Sequence, residues 1–95
     1  MTDKCLIGFD EVSNQFYIKV DDEIVAEMTI TIENPQRIII EHTIVSPKYS
    51  GKGLGKLLVS NVVEFARDSG MKITPICEYA KSVLEKNMEY NDVLL

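Results

Sequence analysis

At 95 residues the chain is long enough to bury one core and too short for two independent ones, so a single domain over residues 1–95 is expected. An apolar fraction of 45% with 26% charged residues fits a globular chain, and no apolar run approaches the roughly 20 residues of a membrane helix. A formal net charge of -5 has the wrong sign for general attraction to nucleic acid, which is excluded as the main partner.

Cys5 to Phe9 reads as a first strand, followed by a polar turn at Ser13-Asn14 and a second strand over Phe16 to Val20, together a hairpin. Asp21-Asp22 makes the next turn. Glu23 to Glu33 then alternates, with Ile24, Ala26, Met28, Ile30 and Ile32 expected on the buried face and Val25, Glu27, Thr29 and Thr31 on the other. Asn34-Pro35-Gln36 is turn chemistry. Arg37 to Val45 is rich in β-branched residues and nearly continuous in apolar character, which predicts a central strand covered on both faces.

Gly51-Lys52-Gly53-Leu54-Gly55-Lys56 opens a helix whose apolar stripe is Leu54, Leu57, Leu58, Val62, Phe65 and Ala66. Gly70 supplies its left-handed end. Met71 to Cys77 is a short strand whose Pro75 belongs at an edge, a bulge or a strand end. Glu78 to Asn87 predicts a second helix with Ala80, Val83 and Leu84 inward, and the apolar tail of Tyr90, Val93, Leu94 and Leu95 is expected to dock. A strand, helix, strand unit implies a right-handed parallel crossover. The fold class is therefore α+β, with a mixed, mostly antiparallel sheet and one parallel β-α-β crossover.

The glycine turn is the segment richest in chemistry. A strand-to-helix turn offers the unpaired amides and positive dipole end of a helix to one anion, and glycines let the backbone come close to phosphate oxygens. Lys48, Lys52 and Lys56 add positive charge there in an acidic chain. A plain connecting loop would favour glycine too, and both readings stand on the spacing alone. Walker-type and dinucleotide-type glycine spacings do not match.

The run from Val45 to Val59 resembles the coenzyme A motif of the GNAT superfamily of N-acetyltransferases, with Gly53 and Gly55 in its last two motif places and Ser50 where Arg or Gln is usual. His42-Thr43, Pro75-Ile76-Cys77 and Glu89-Tyr90 resemble in order and spacing the small stand-alone members of that superfamily; Glu78 and Asn87-Met88 depart from their common pattern. The resemblance implies acetyl-coenzyme A as cosubstrate, with the pyrophosphate on Ser50, Gly51, Lys52, Gly53, Leu54, Gly55 and Lys56. It implies the pantetheine arm between splayed parallel strands near Thr43, Ile44, Val45 and Cys77. Larger relatives place a tyrosine acid where this chain has Val83 or Leu84.

Acetyl transfer needs a deprotonated amine, a stabilised carbonyl and a protonated leaving thiolate. Cys77 is a candidate nucleophile at a helix start, against the alternative of a packed cysteine. His42 is a candidate general base, against a structural histidine, and Glu41 stands beside it as a second base or a solvated carboxylate. Tyr79 lies near the expected thioester position or packs the second helix. Cys5 and Cys77 lack the spacing of a zinc site, so no metal is expected. No signal peptide is read at the N-terminus, which makes the cytoplasm the expected compartment and the cysteines reduced. The expected partners are acetyl-coenzyme A and an exposed amine such as a protein lysine or N-terminus, with no membrane and a monomeric chain. A non-catalytic coenzyme A-binding or protein-interaction module is the competing function.

Overall fold

A computed structural model describes residues 5–34 and 36–95, with the side chain of Asn34 left out. The expected turn at Pro35 and the reading of the N-terminus over Met1 to Lys4 lie outside the described residues. Strands β1 (Cys5–Asp10), β2 (Gln15–Val20), β3 (Glu23–Asn34), β4 (Arg37–Val45) and β5 (Lys72–Pro75) form one five-stranded sheet in chain order. Helix α1 (Leu54–Ser69) connects β4 to β5, and α2 (Glu78–Lys86) follows β5. The first four strands are an antiparallel meander and β4 pairs with β5 in parallel, the mixed α+β arrangement the sequence predicts.

Local chemistry sets the turns. The Asp10 carboxylate accepts the amides of Val12 at 2.9 Å and Ser13 at 3.4 Å, and Asn14 takes a left-handed φ of 55°. Asp21 and Asp22 both have positive φ, 50° and 71°, the signature of the two-residue turn whose twist matches a hairpin. Helix α1 ends at Gly70, φ 70°, where the Met71 amide reaches back to the Ala66 carbonyl at 2.8 Å.

Two register shifts correct the strand readings. Ile18 pairs with Ala26 but Lys19 with Ile24, so Val25 is an extra residue on β3. The inward phase reverses there: Val25 and Ala26 are both buried, and Ile24 turns outward, 47% exposed. Ile32, also expected inward, is exposed near the far end of the strand. On β4, Ile40 pairs with Ile30 and His42 with Thr29, leaving Glu41 as the extra residue. Ile38 and Ile40 face inward before this bulge, and Thr43 and Val45 take that phase after it. β4 is covered on one face only, because both helices feed the same buried cluster and its other face keeps Ile39 half-buried and Ile44 exposed.

That cluster joins Phe16, Ile18, Met28, Ile30, Ile38, Ile40 and Ile73 of the sheet to Leu58, Val62 and Ala66 of α1 and Ala80, Val83 and Leu84 of α2. Val59 and Val63 are buried as well, so the apolar stripe of α1 is centred one step away from the expected one, and Leu54, Leu57 and Phe65 sit at its margin. Phe65 closes an aromatic triad with Phe9 and Phe16, at centroid separations of 6.0 and 5.8 Å. The tail docks as expected: Leu94 bridges Ile73 in parallel, and Arg67 of α1 grips Asp92 through Nε at 2.8 Å and a second nitrogen at 2.9 Å. Among the described residues no helix is long and apolar enough to cross a membrane.

Candidate functional site

The bulge at Glu41 decides where the sheet opens. β4 and β5 pair from Arg37↔Lys72 to Ile40↔Pro75 and no further, while β4 continues to Val45 on its β3 side. The amides of Ile76 and Cys77 both donate to the Ile40 carbonyl, at 2.9 and 3.1 Å, which turns the chain away from β4 at the point where Pro75 can offer no amide. Beyond Ile40 the pairing ends, and among the described residues the edge of β4 from Glu41 to Val45 has no strand partner on that side.

The glycine turn stands at the mouth of this opening. A single 3-10 turn, Pro47–Tyr49, carries the chain off β4, after which Gly51 and Gly53 adopt φ of 79° and 81°. Glycine is required at both by backbone conformation, since a Cβ added at either would meet nothing within 4 Å. The first bond of α1 is from the Leu57 amide to the Gly53 carbonyl at 3.0 Å, and no side chain caps the helix. The amides of Leu54, Gly55 and Lys56 therefore point out of the first turn without a backbone or capping partner among the described residues. The first turn carries no acidic residue to compete for them.

A cleft of about 440 Å³ runs from this turn along β4, lined by Thr43, Val45, Ser50, Gly53, Gly55 and Tyr79 among others. At its inner end the Thr43 hydroxyl and the Cys77 sulfur are 3.5 Å apart. Cys77 is the residue preceding α2. Burial alone would raise the thiol pKa; the amides of Ala80 and Tyr79, the Thr43 hydroxyl and the Thr43 backbone outweigh it, and the pKa is lowered. The Tyr79 phenol shifts the opposite way, raised by burial and then by negative charge on Cys77.

Of the residues named from sequence, Thr43, Val45, Ser50, Gly51, Gly53, Leu54, Gly55 and Lys56 line this one cleft, and Cys77 closes it through Thr43. Ile44, 61% exposed, lies on the opposite face of β4, and Lys52 is exposed outside the lining. His42, opposite Thr29, is likewise exposed on the outer face, away from Thr43, with Glu41 bonded to the Thr31 hydroxyl on the same side. Tyr49 was not marked by any sequence signal. Tyr79 was read mainly as packing, and its place in the cleft depends on how α2 meets α1. Among the described residues no group of three metal-ligating side chains is assembled.

The chain matches the family model described as GCN5-related N-acetyl-transferase over residues 15–93. Among solved structures, it is similar to a GCN5-like candidate N-acetyltransferase from Staphylococcus aureus at 41% identity, with 95% of this chain and 87% of that one covered and a TM-score of 0.77. It shares its fold with the ribosomal-protein-S18-alanine N-acetyltransferase of Escherichia coli, at 16% identity and a TM-score of 0.66, over 81% of this chain and 52% of that one. It also shares its fold with N-acetylglutamate synthase from Neisseria gonorrhoeae, solved with coenzyme A and L-arginine, at 18% identity and a TM-score of 0.65, over 81% of this chain and 19% of that one. The chain thus spans about half of the Escherichia coli enzyme and a smaller share of the synthase. No curated protein matches the chain significantly. With the match running from β2 to the docked tail, and a relative of nearly the same extent, the chain belongs to the GCN5-related N-acetyltransferase family.

Proposed function

We propose that this chain binds acetyl-coenzyme A in the cleft between the glycine turn and Cys77 and transfers the acetyl group to an amine. The observation that carries the reading is the glycine turn, where two left-handed glycines precede a helix start whose first three amides have no partner among the described residues. Such a turn suits a diphosphate, whose charge the helix end and Lys56 favour. The 440 Å³ cleft and the open edge of β4 give a pantetheine arm an extended path past Thr43 and Val45 towards Cys77.

The reacting thioester then lies by Cys77. Direct transfer joins the amine nitrogen to the acetyl carbon, breaks the carbon-sulfur bond and returns a proton to the coenzyme A thiolate. By the alternative route the Cys77 thiolate attacks first, releasing coenzyme A, and the S-acetyl cysteine passes its acetyl to the amine. The Thr43 hydroxyl, 3.5 Å from the Cys77 sulfur, would support the thiolate on the second route. His42 and Glu41 stand on the outer face, where an amine approaching through the splay would lose its proton. Among the described residues no helix covers that face, so an exposed amine such as a protein lysine or N-terminus fits it best.

Titration calorimetry with coenzyme A and acetyl-coenzyme A, followed by mass spectrometry on Cys77 and assays on lysine peptides, tests the proposal. Binding, acetyl on Cys77 and turnover lost in Cys77→Ala are expected; absence of binding at millimolar ligand refutes it. A second reading, a coenzyme A-binding module without catalysis, is favoured by Val83 and Leu84, which are buried in the core where larger relatives carry a tyrosine acid. Binding without acetyl transfer to Cys77 or to any amine would select that reading.

A further inference from the structure

Gly55 differs from the other glycines of the turn. Gly51 and Gly53 need positive φ and have open space above them, whereas Gly55 is a buried helical residue without a left-handed φ. Alanine is the better helix former at such a position. Alanine would displace a neighbour: a Cβ on Gly55 would lie 2.6 Å from the Tyr79 hydroxyl and 2.7 Å from two of its ring carbons, so the ring would have to leave its place. The missing side chain is filled by the ring of Tyr79, which reaches from the first turn of α2 onto the first turn of α1.

This seat puts the phenol at a defined place. Its oxygen lies over the turn whose Leu54, Gly55 and Lys56 amides lack partners, and the ring is 42% exposed along the cleft it lines. Among the described residues no group accepts a hydrogen bond from the hydroxyl. Burial and the neighbouring Cys77 keep its proton on at neutral pH, so it is a donor.

We propose that Tyr79 is a ligand-binding residue of the cleft: its ring is held by the bare Cα of Gly55, and its hydroxyl donates a hydrogen bond to the pyrophosphate seated on the first turn of α1. Gly55 thus serves the site by seating Tyr79, while Gly51 and Gly53 shape the backbone. The proposal rests on the coenzyme A reading above, and it adds a side-chain donor to a turn whose other contacts are backbone amides.

Calorimetry on the full chain with coenzyme A and with dephospho-coenzyme A, which keeps the pyrophosphate, tests it. Tyr79→Phe, which preserves the ring, should weaken both ligands about tenfold, the size of one hydrogen bond to a charged acceptor. Equal affinity of wild type and Tyr79→Phe overturns the hydroxyl contact, and a loss confined to coenzyme A moves it to the 3′-phosphate and overturns it too. Melting without ligand tests the seat separately. Gly55→Ala should lower the melting temperature of the wild-type chain and raise it in a Tyr79→Ala background, where helix propensity alone remains; equal shifts in the two backgrounds overturn the seat. Failure of the wild-type chain to bind either ligand would overturn the coenzyme A reading itself, a result distinct from a bound wild type and an unaffected Tyr79→Phe.

Discussion

Gly53→Ala and Gly70→Ala form a matched pair that separates the chemistry of the turn from its folding. Gly53 has φ of 81° and Gly70 has φ of 70°, and at neither would an added Cβ meet an atom within 4 Å. The cost of each substitution is therefore backbone strain alone, about 1–2 kcal/mol for a residue forced into the left-handed region. In a domain of this size each kcal/mol moves the midpoint by roughly 4–8 °C, so both variants should melt about 4–16 °C below wild type. Their effects on ligand binding should part completely. Gly70 ends α1 at the helix terminus remote from the cleft, so Gly70→Ala should bind coenzyme A like wild type. Relief of strain at Gly53 would rotate the Leu54 and Gly55 amides out of the orientation the turn gives them, and about tenfold or more of affinity should be lost. Differential scanning fluorimetry and calorimetry measure the two quantities. Equal affinity in Gly53→Ala and wild type, or a parallel loss in Gly70→Ala, would refute the assignment of the turn as the anion site.

Three further outcomes are expected. Alkylation of Cys77 by iodoacetamide, followed by peptide mass spectrometry, should half-saturate at a lower pH than an ordinary thiol does, and Thr43→Val should move the midpoint upward because one hydrogen bond to the thiolate is gone. Asp22→Gly should stabilise the chain by about 0.5–1 kcal/mol in urea melts, because the second turn position, at φ of 71°, is one that glycine enters without strain. Hydrogen bonding to Arg67 depresses the Asp92 pKa, so its contribution is present above the unfolded carboxylate pKa and is lost as pH falls through the lowered folded value. Asp92→Asn should accordingly lower the melting temperature at neutral pH, with the gap from wild type closing below about pH 4; a gap that persists in acid would refute the ion pair as its cause.

The features legible in the sequence are those created by near neighbours in the chain. Asn14, Asp21, Asp22 and Gly70 announce left-handed turns because few other residue types take positive φ easily, and each does so in the structure. The run from Ser46 to Lys56 reads as a glycine turn opening a helix for the same reason. Pro75 marks the end of β5 because it has no amide to give. Period-two alternation, in contrast, misplaced Ile24 and Ile32, and the nearly continuous apolar character of Arg37 to Val45 implied the wrong cover for β4.

Those errors share a cause: which way a strand residue points depends on its partner strand. Val25 and Glu41 look like any other strand residues in sequence, and they become bulges only because β2 and β4 impose their registers. The bulge at Glu41 turns Thr43 and Val45 into the cleft and leaves His42 outside it, a division that spacing along the chain cannot express. The meeting of Thr43 with Cys77, and of Tyr79 with Gly55, joins residues brought together by the crossover of α1 and the return of α2. Local backbone chemistry alone therefore determined the turns and the glycine loop, while strand register and helix docking, set by the collective burial of one core, decided which side chains the loop would face.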